Sequence, residues 1–273
     1  MTRVWGAASA TQTGSSHIRD GKPGQDAHRS WSDGSIAVIS VADGHGHHSH
    51  FRSERGAALA TQVASSLFQA AVTELGDPGH AESLLRSDIG PALVEGWTRA
   101  VLDDVRAHPY AATETGLMAG DSVQDMLTPY GSTILAMAAT QRVLAVLQIG
   151  DGDSVAVTDQ GDILQPLPTD DELVGVLTTS LCQPAPLESL RCAALGVDDL
   201  DLVLAYACTD GFGSARLDAE GWKAQVGTEL LGHVREHGVN WVAEKLPTWL
   251  EEPAQTGGDD ATLALIADSR GPR

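Results

Sequence analysis

The sequence predicts a mixed α/β fold with antiparallel strand pairing. Three observations lead there. Short apolar runs recur along the chain and have the composition of buried strands. Helical stripes with a four-residue repeat occupy other stretches. Several strand candidates follow one another in the middle of the chain with no helix between them, which argues against regular βαβ alternation.

Taken in order, the run Ile36–Ala42 is the first expected strand. A helix follows, because Leu59, Val63, Leu67, Ala71 and Leu75 recur every four residues and Gly76 stands where the helix should stop. Trp97, Val101 and Val105 mark a second helix, with Pro91 suited to its opening turn. Residues 109–130 carry Gly, Pro, Thr and Asp without period and read as loop. Ile134–Ala138 and Val143–Ile149 are the next strands, then Ser154–Thr158 with a turn at Gln160-Gly161. Residues 166–190 again read as loop. Leu202–Cys208 is a further strand. Trp222, Val226, Leu230 and Val234 mark a third helix, and Trp241–Leu250 a short fourth, with Asn240 as its expected cap. Thr262–Ala267 ends the series as a strand.

The chain has 273 residues, 42% of them hydrophobic, enough for a substantial core. Its formal net charge of −20 repels nucleic acid and anionic lipid, so neither is an expected partner. The three cysteines, Cys182, Cys192 and Cys208, have no metal-ligand spacing and read as small buried residues. The start lacks the apolar stretch of a signal peptide, and no apolar run approaches the roughly 18 residues of a membrane span. A reducing cytoplasm is the expected setting.

One pattern carries chemistry. Strand candidates abut aspartate beside glycine four times: Asp43-Gly44 after Ile36–Ala42, Gly150-Asp151-Gly152 after Val143–Ile149, Asp210-Gly211 after Leu202–Cys208, and Gly258-Asp259-Asp260 before Thr262–Ala267. A buried strand is a rigid mount, and glycine lets the backbone turn sharply at its end. If those ends share a rim, the carboxylates converge and raise one another's pKa, a cost that a divalent cation removes. Carboxylates, carbonyls and water suit Mg²⁺ or Mn²⁺. Any single Asp-Gly pair is an ordinary turn; four beside strong apolar runs are read as a carboxylate metal site. The acidic pairs Asp103-Asp104 and Glu251-Glu252, and Asp170-Asp171-Glu172, lack that context and read as solvated surface.

At these residues the sequence resembles the PPM family, the metal-dependent protein phosphatases of type 2C. The matching segments are Gln25-Asp26-Ala27, Val41-Ala42-Asp43-Gly44-His45-Gly46, Gly131-Ser132-Thr133, Ile149-Gly150-Asp151-Gly152, Thr209-Asp210-Gly211-Phe212 and Asp259-Asp260-Ala261-Thr262-Leu263. Gly14-Ser15-Ser16-His17 and Gly150-Asp151-Gly152 resemble a bacterial subgroup. The resemblance implies an α+β fold: one domain over residues 1–273, with two packed antiparallel β-sheets flanked by helices in a four-layer αββα sandwich. It implies two Mg²⁺ or Mn²⁺ ions, with a third in some members. Asp43 would bridge the two, Asp210 and Asp259 would complete the first site, and the Gly44 carbonyl would serve the second. Asp26 would act nearby through water, and Asp151 with Asp210 would hold the third ion. Asp260 would lie beside the site.

The reaction so implied is hydrolysis of phosphoserine and phosphothreonine in proteins by a metal-activated water, with His45 as general acid for the poor alkoxide leaving group. His17 and Arg19, with Lys22 beside them, are the candidates for gripping phosphate. Gln25 departs from the glutamate of animal members and predicts a weaker second metal site. His47, His48 and His50 are expected to be a solvated loop around His45. A cognate serine/threonine kinase is the implied partner that makes the substrate. Two other readings remain: a catalytically weak or silent relative that binds a phosphoprotein, and a hydrolase of a small phosphoester.

Overall fold

Strands form where apolar residues run unbroken, because both of their faces are covered. The structure, a computed structural model, describes residues 2–168, 178–216, 218 and 221–270. In chain order these residues form β1 (Trp5–Gln12), α1 (Ser15–Asp20), β2 (Ala27–Ser32), β3 (Ala37–Ala42), α2 (Ser53–Ala71), α3 (Pro78–Leu84), α4 (Gly90–Ala107), α5 (Ala112–Thr115) and α6 (Val123–Leu127). Then come β4 (Ile134–Ala139), β5 (Val143–Ile149), β6 (Asp153–Thr158), β7 (Ile163–Leu164), β8 (Arg191–Gly196) and β9 (Leu202–Cys208). The last elements are α7 (Asp210–Ser214), α8 (Trp222–His237), α9 (Val239–Trp249), α10 (Glu251–Gly257) and β10 (Ala261–Asp268).

Among the described residues the strands make two five-stranded sheets, β1-β10-β9-β6-β7 and β2-β3-β4-β5-β8. Every pairing within them is antiparallel. The sheets pack face to face through Ile39, Leu135, Met137 and Val146 of one and Ala156, Ala205, Ala207 and Ile266 of the other. Alternate residues of the same strands face outward. Val38, Ala136 and Leu147 pack under Ala60, Ala64, Phe68, Leu93 and Trp97 of α2 and α4. On the far side, Val155, Leu204, Tyr206 and Leu265 pack under Trp222, Val226, Leu230 and Leu246 of α8 and α9. The order of layers is αββα, as the resemblance implied.

The apolar runs expected as strands are strands, with ends shifted by a residue at most. β1, β2, β7 and β8 escaped the sequence reading. β1 is alanine-rich and interrupted by Gly6, Ser9 and Thr11, and β2 is an edge strand with no buried residue, so neither carries a run. Helix α2 turns a different face to the core from the one expected. Ala57, Ala60, Ala64 and Phe68 are buried, whereas Leu59, Val63, Leu67 and Ala71 are only half-buried. Small residues let the helix lie close on the sheet, while Val63 packs against Gly96 of α4. Gly76, at φ +55°, lies beyond the final turns of that helix as expected. α4 has Pro91 in its first turn but is entered from α3 through a wide turn at Leu85–Ile89.

Asn240 does not cap α9. The helix starts one residue earlier, and Gly238, at φ +84°, makes the entry bend. The 109–130 stretch is not plain loop, since α5 and α6 lie within it. Asp104 is not solvated surface either. It accepts from the Tyr130 hydroxyl at 2.6 Å and from Arg55 at 3.0 Å, and it contacts His108 Nδ1 at 2.9 Å. Glu251 and Glu252 are exposed as expected. The Asp170-Asp171-Glu172 run lies outside the described residues. No helix among the described residues is long and apolar enough to cross a membrane.

Candidate metal centre

Strand register decides which loops meet. Cys208, the last residue of β9, pairs with Asp153 at the start of β6 and with Leu263 near the start of β10. Asp210, Asp151 and Asp259 therefore leave one end of that sheet. In the other sheet Ala42 pairs with Ala27, and Ile134 with Ile149. Asp43, Asp26 and the Gly150-Asp151 turn leave the matching end. Asp151 lies on the crossing from β5 in one sheet to β6 in the other.

Glycine is required where these loops press together. Gly150 has φ +120°, and a Cβ there would overlap the Thr133 side chain. A Cβ on Gly44 would come within 2.7 Å of the Ser53 carbonyl and 2.8 Å of the Gln25 carbonyl. Asp43 is locked in place by its own backbone. Its N–H donates to Thr133 Oγ1 at 2.9 Å, and its carbonyl accepts from Thr133 N at 2.9 Å.

The rim holds a cleft of about 580 Å³. Asp43, Gly44, Asp151, Asp210, Asp259, His45 and His17 all line it. Asp26 and Arg19 are not part of that lining. Asp26 Oδ2 instead accepts from Thr209 Oγ1 at 2.7 Å and Thr262 Oγ1 at 2.6 Å, just below the rim. The Arg19 side chain is 72% exposed on α1, where it reaches Ser16 and Asp20. No lysine or arginine among the described residues lines the cleft.

The electrostatics follow from burial and crowding. Burial pushes the Asp43 carboxyl well above its usual range, and the charges of Asp26, Asp210, Asp259 and Asp151 push it further. Asp210 is raised to about 6, first by burial, then by Asp151 and Asp259, with a hydrogen bond to Asp43 acting the other way. Burial also raises Asp151 and Asp26. His45 is lowered to about 4, by burial first and then by His50.

This donor set has the chemistry of a hard divalent cation: several carboxylate oxygens held where ionising them is costly. Gln25 adds to it. Its Nε2 donates to Ser53 Oγ at 2.5 Å and to the His45 carbonyl at 3.2 Å. A carbonyl only accepts, so that contact settles which way the amide faces. Gln25 Oε1 is then left buried without a protein partner beside the cleft. Among the described residues, however, no three His, Cys, Asp or Glu side chains stand together at metal-holding spacing.

The sequence reading undervalued Asp260. This aspartate is 2% exposed and is a hub rather than a neighbour. It accepts from the backbone N–H groups of Gly14 at 2.7 Å and Asp26 at 3.1 Å, and from that of Gln25, and it contacts His17 Nδ1 at 2.9 Å. It thereby ties the loop before β2 to the start of β10. Thr178, Ser180 and Cys182, all cleft-lining, were missed as site residues because the 166–190 stretch has no period to read. His47 and His48 are exposed, whereas His45 and His50 are half-buried with their rings 5.0 Å apart.

Solved structures share this fold. A bacterial serine phosphatase superposes with a TM-score of 0.62 at 14% identity, covering 98% of each chain. The serine/threonine phosphatase Stp1 from Staphylococcus aureus gives 0.61 at 15%, covering 96% of this chain and 94% of its own. PppA, a key regulatory component of T6SS in Pseudomonas aeruginosa, gives 0.58 at 19%, covering 97% and 98%. No curated protein sequence matches the chain significantly. The sequence pattern of the family described as protein phosphatase 2C matches residues 13–251, which include Asp26, Asp43, Asp151 and Asp210 and stop short of Asp259. That span is most of the 273 residues, so the chain belongs to the protein phosphatase 2C family.

Proposed function

We propose that this protein is a metal-dependent phosphatase that hydrolyses phosphoserine and phosphothreonine in proteins. The observation that carries the reading is the convergence of Asp43, Asp151, Asp210 and Asp259 on one cleft from the ends of two sheets. Family membership gives the reaction class, and the family is metal-dependent.

In this reading Asp43, Asp210, Asp259 and the Gly44 carbonyl would hold two Mg²⁺ or Mn²⁺ ions, with Gln25 Oε1 as a neutral donor at the second, and Asp151 and Asp210 would serve a third. Such ions would lower the pKa of an attacking water and neutralise charge on the phosphoryl oxygens. The protein's own residues do the rest. Asp26 is held by Thr209 and Thr262 with its charge below the rim, where it orients water. His17, fixed through Nδ1 on Asp260, keeps Nε2 for phosphate. His45 gives its proton to the leaving oxygen. Burial and the neighbouring His50 hold the His45 imidazole down at about 4. The substrate is a phosphorylated protein, a serine/threonine kinase is the partner that makes it, and the cytoplasm is the proposed setting.

The test is hydrolysis of a phosphothreonine peptide and of an aryl phosphate with Mn²⁺ or Mg²⁺, then with a chelator. Turnover that needs metal is expected on both. Metal-replete protein that turns over neither is not this enzyme, and turnover of small esters alone would favour the small-phosphoester reading.

A further inference from the structure

We propose that Ser180 is a positioning residue for His45; the inference rests on the general-acid reading of His45 above. His45 Nε2 lies 2.7 Å from Ser180 Oγ, and both residues line the cleft. Ser180 is itself pinned. Its hydroxyl has the Ser132 carbonyl at 3.2 Å and Cys182 Sγ at 3.3 Å within reach, and its oxygen accepts from Cys182 N at 3.3 Å. Ser180 N donates to Gln183 Oε1 at 3.1 Å, and the neighbouring Leu181 N donates to the Ser132 carbonyl at 2.9 Å. The side chain is 6% exposed.

A serine hydroxyl can give one hydrogen and accept two. It accepts from His45 Nε2 when that nitrogen carries hydrogen, and it can donate to it when it does not. Ser180 thus holds the ring at one rotation, with Nε2 on the cleft wall, whether the ring is neutral or charged. A leaving oxygen that enters between the two takes over the Nε2 hydrogen bond from Ser180.

The other side of the ring is fixed as well. His45 N donates to the Gly131 carbonyl at 3.1 Å, and a Cβ on Gly131 would overlap both the His45 and His50 rings. Among the described residues, the Ser180 contact is the hydrogen bond that reaches a ring nitrogen of His45. Its loss leaves the backbone of His45 where it is and frees the imidazole.

The experiment uses the full chain with Ser180→Ala and Ser180→Thr. In metal-free protein, NMR of the imidazole nitrogens is expected to show a His45 Nε2 signal that Ser180→Thr keeps in place and Ser180→Ala shifts. With metal, Ser180→Ala is expected to lower kcat on a phosphothreonine peptide about ten- to a hundredfold, the range seen when the partner that orients a functional side chain is lost. KM should stay within about twofold, because substrate binding is untouched. Loss on an aryl phosphate should stay under about threefold, since that leaving group needs little protonation. Ser180→Thr should restore the peptide rate. In a His45→Ala background, Ser180→Ala should cost nothing further. A His45 Nε2 signal that Ser180→Ala leaves unmoved, equal losses on both substrates, or an added loss in the His45→Ala background would each overturn the proposal. A wild-type chain with no turnover at all would sink the phosphatase reading instead, and the NMR arm alone would then decide the Ser180 contact.

Discussion

The crowding of carboxylates predicts that one of the proposed metal ligands can be removed with a gain in stability. The perturbation is Asp210→Asn in metal-free protein. Asp210 ionises at about 6 in the fold against the ordinary 3.8, because burial and the charges of Asp151 and Asp259 oppose its anion. The folded chain therefore binds this proton more tightly than the unfolded chain does. Stability falls as pH rises from about 4 through about 6, and the full cost is present above that range. A little over two pH units at about 1.4 kcal/mol each makes that cost on the order of 3 kcal/mol. Asparagine does not ionise, so above the range it removes the cost while keeping size and shape. The lost contact with Asp43 makes about 3 kcal/mol an upper figure. A chain of this size shifts its Tm by about 2–4 °C per kcal/mol, so the ceiling is about 6–12 °C. The assay is thermal unfolding in chelator at pH 8 and at pH 4. Asp210→Asn should melt above the wild type at pH 8, and the gap should close at pH 4. Saturating Mn²⁺ should reverse the order, since about a hundredfold excess over Kd adds about 2.7 kcal/mol to the chain that binds it. A metal-free Asp210→Asn that melts at or below the wild type at pH 8 would refute the reasoning.

Other perturbations follow from the same geometry. Asp260→Ala strands the N–H groups of Gly14, Gln25 and Asp26 and should cost about 3–9 kcal/mol in denaturant unfolding, or prevent folding, at about 1–3 kcal/mol per stranded group; a cost under about 1 kcal/mol would mean water replaces the carboxylate. Gly56→Ala drives a Cβ into the Tyr130 carbonyl, on the helix face that also takes the Trp97 indole N–H at 3.0 Å, and should destabilise by about 2–3 kcal/mol or prevent folding; an unchanged unfolding midpoint would be the contrary result. Arg19→Ala should leave KM within about twofold because its side chain is solvated away from the cleft, whereas His17→Ala should raise KM; the reverse order in steady-state kinetics would move the phosphate grip to Arg19.

Burial on both faces made most strands legible in the sequence. Ile134–Ala139, Val143–Ile149 and Leu202–Cys208 are covered on one side by the other sheet and on the other by helices, so nearly every residue in them is apolar. β1 and β2 lie at sheet edges, where alternation with small and polar residues leaves no run to see. The stripe expected on α2 was real but faced a helix, since alanines on the adjacent face allow closer approach to the sheet than leucines would. Asn240 has the chemistry of a cap, but the positive-φ glycine before Val239 had already set the start of the helix.

The aspartates divide in the same way. Asp-Gly at the ends of apolar runs was visible as a pattern, and it nominated Asp43, Asp151, Asp210 and Asp259, which the structure brings to one cleft. Adjacent residues then parted on grounds that spacing does not encode. Asp260 points back into three backbone N–H groups, and Asp26 drops onto two threonine hydroxyls. Ser180 reaches His45 across 135 residues of chain, from a stretch with no pattern of its own. Local chemistry selects which side chains can bind a cation or move a proton, so the sequence alone determined the family and most of the carboxylates. Which of them face the cleft, which are locked below it, and what holds His45 depend on strand register and on contacts between residues distant in the chain, and only the tertiary structure decided those.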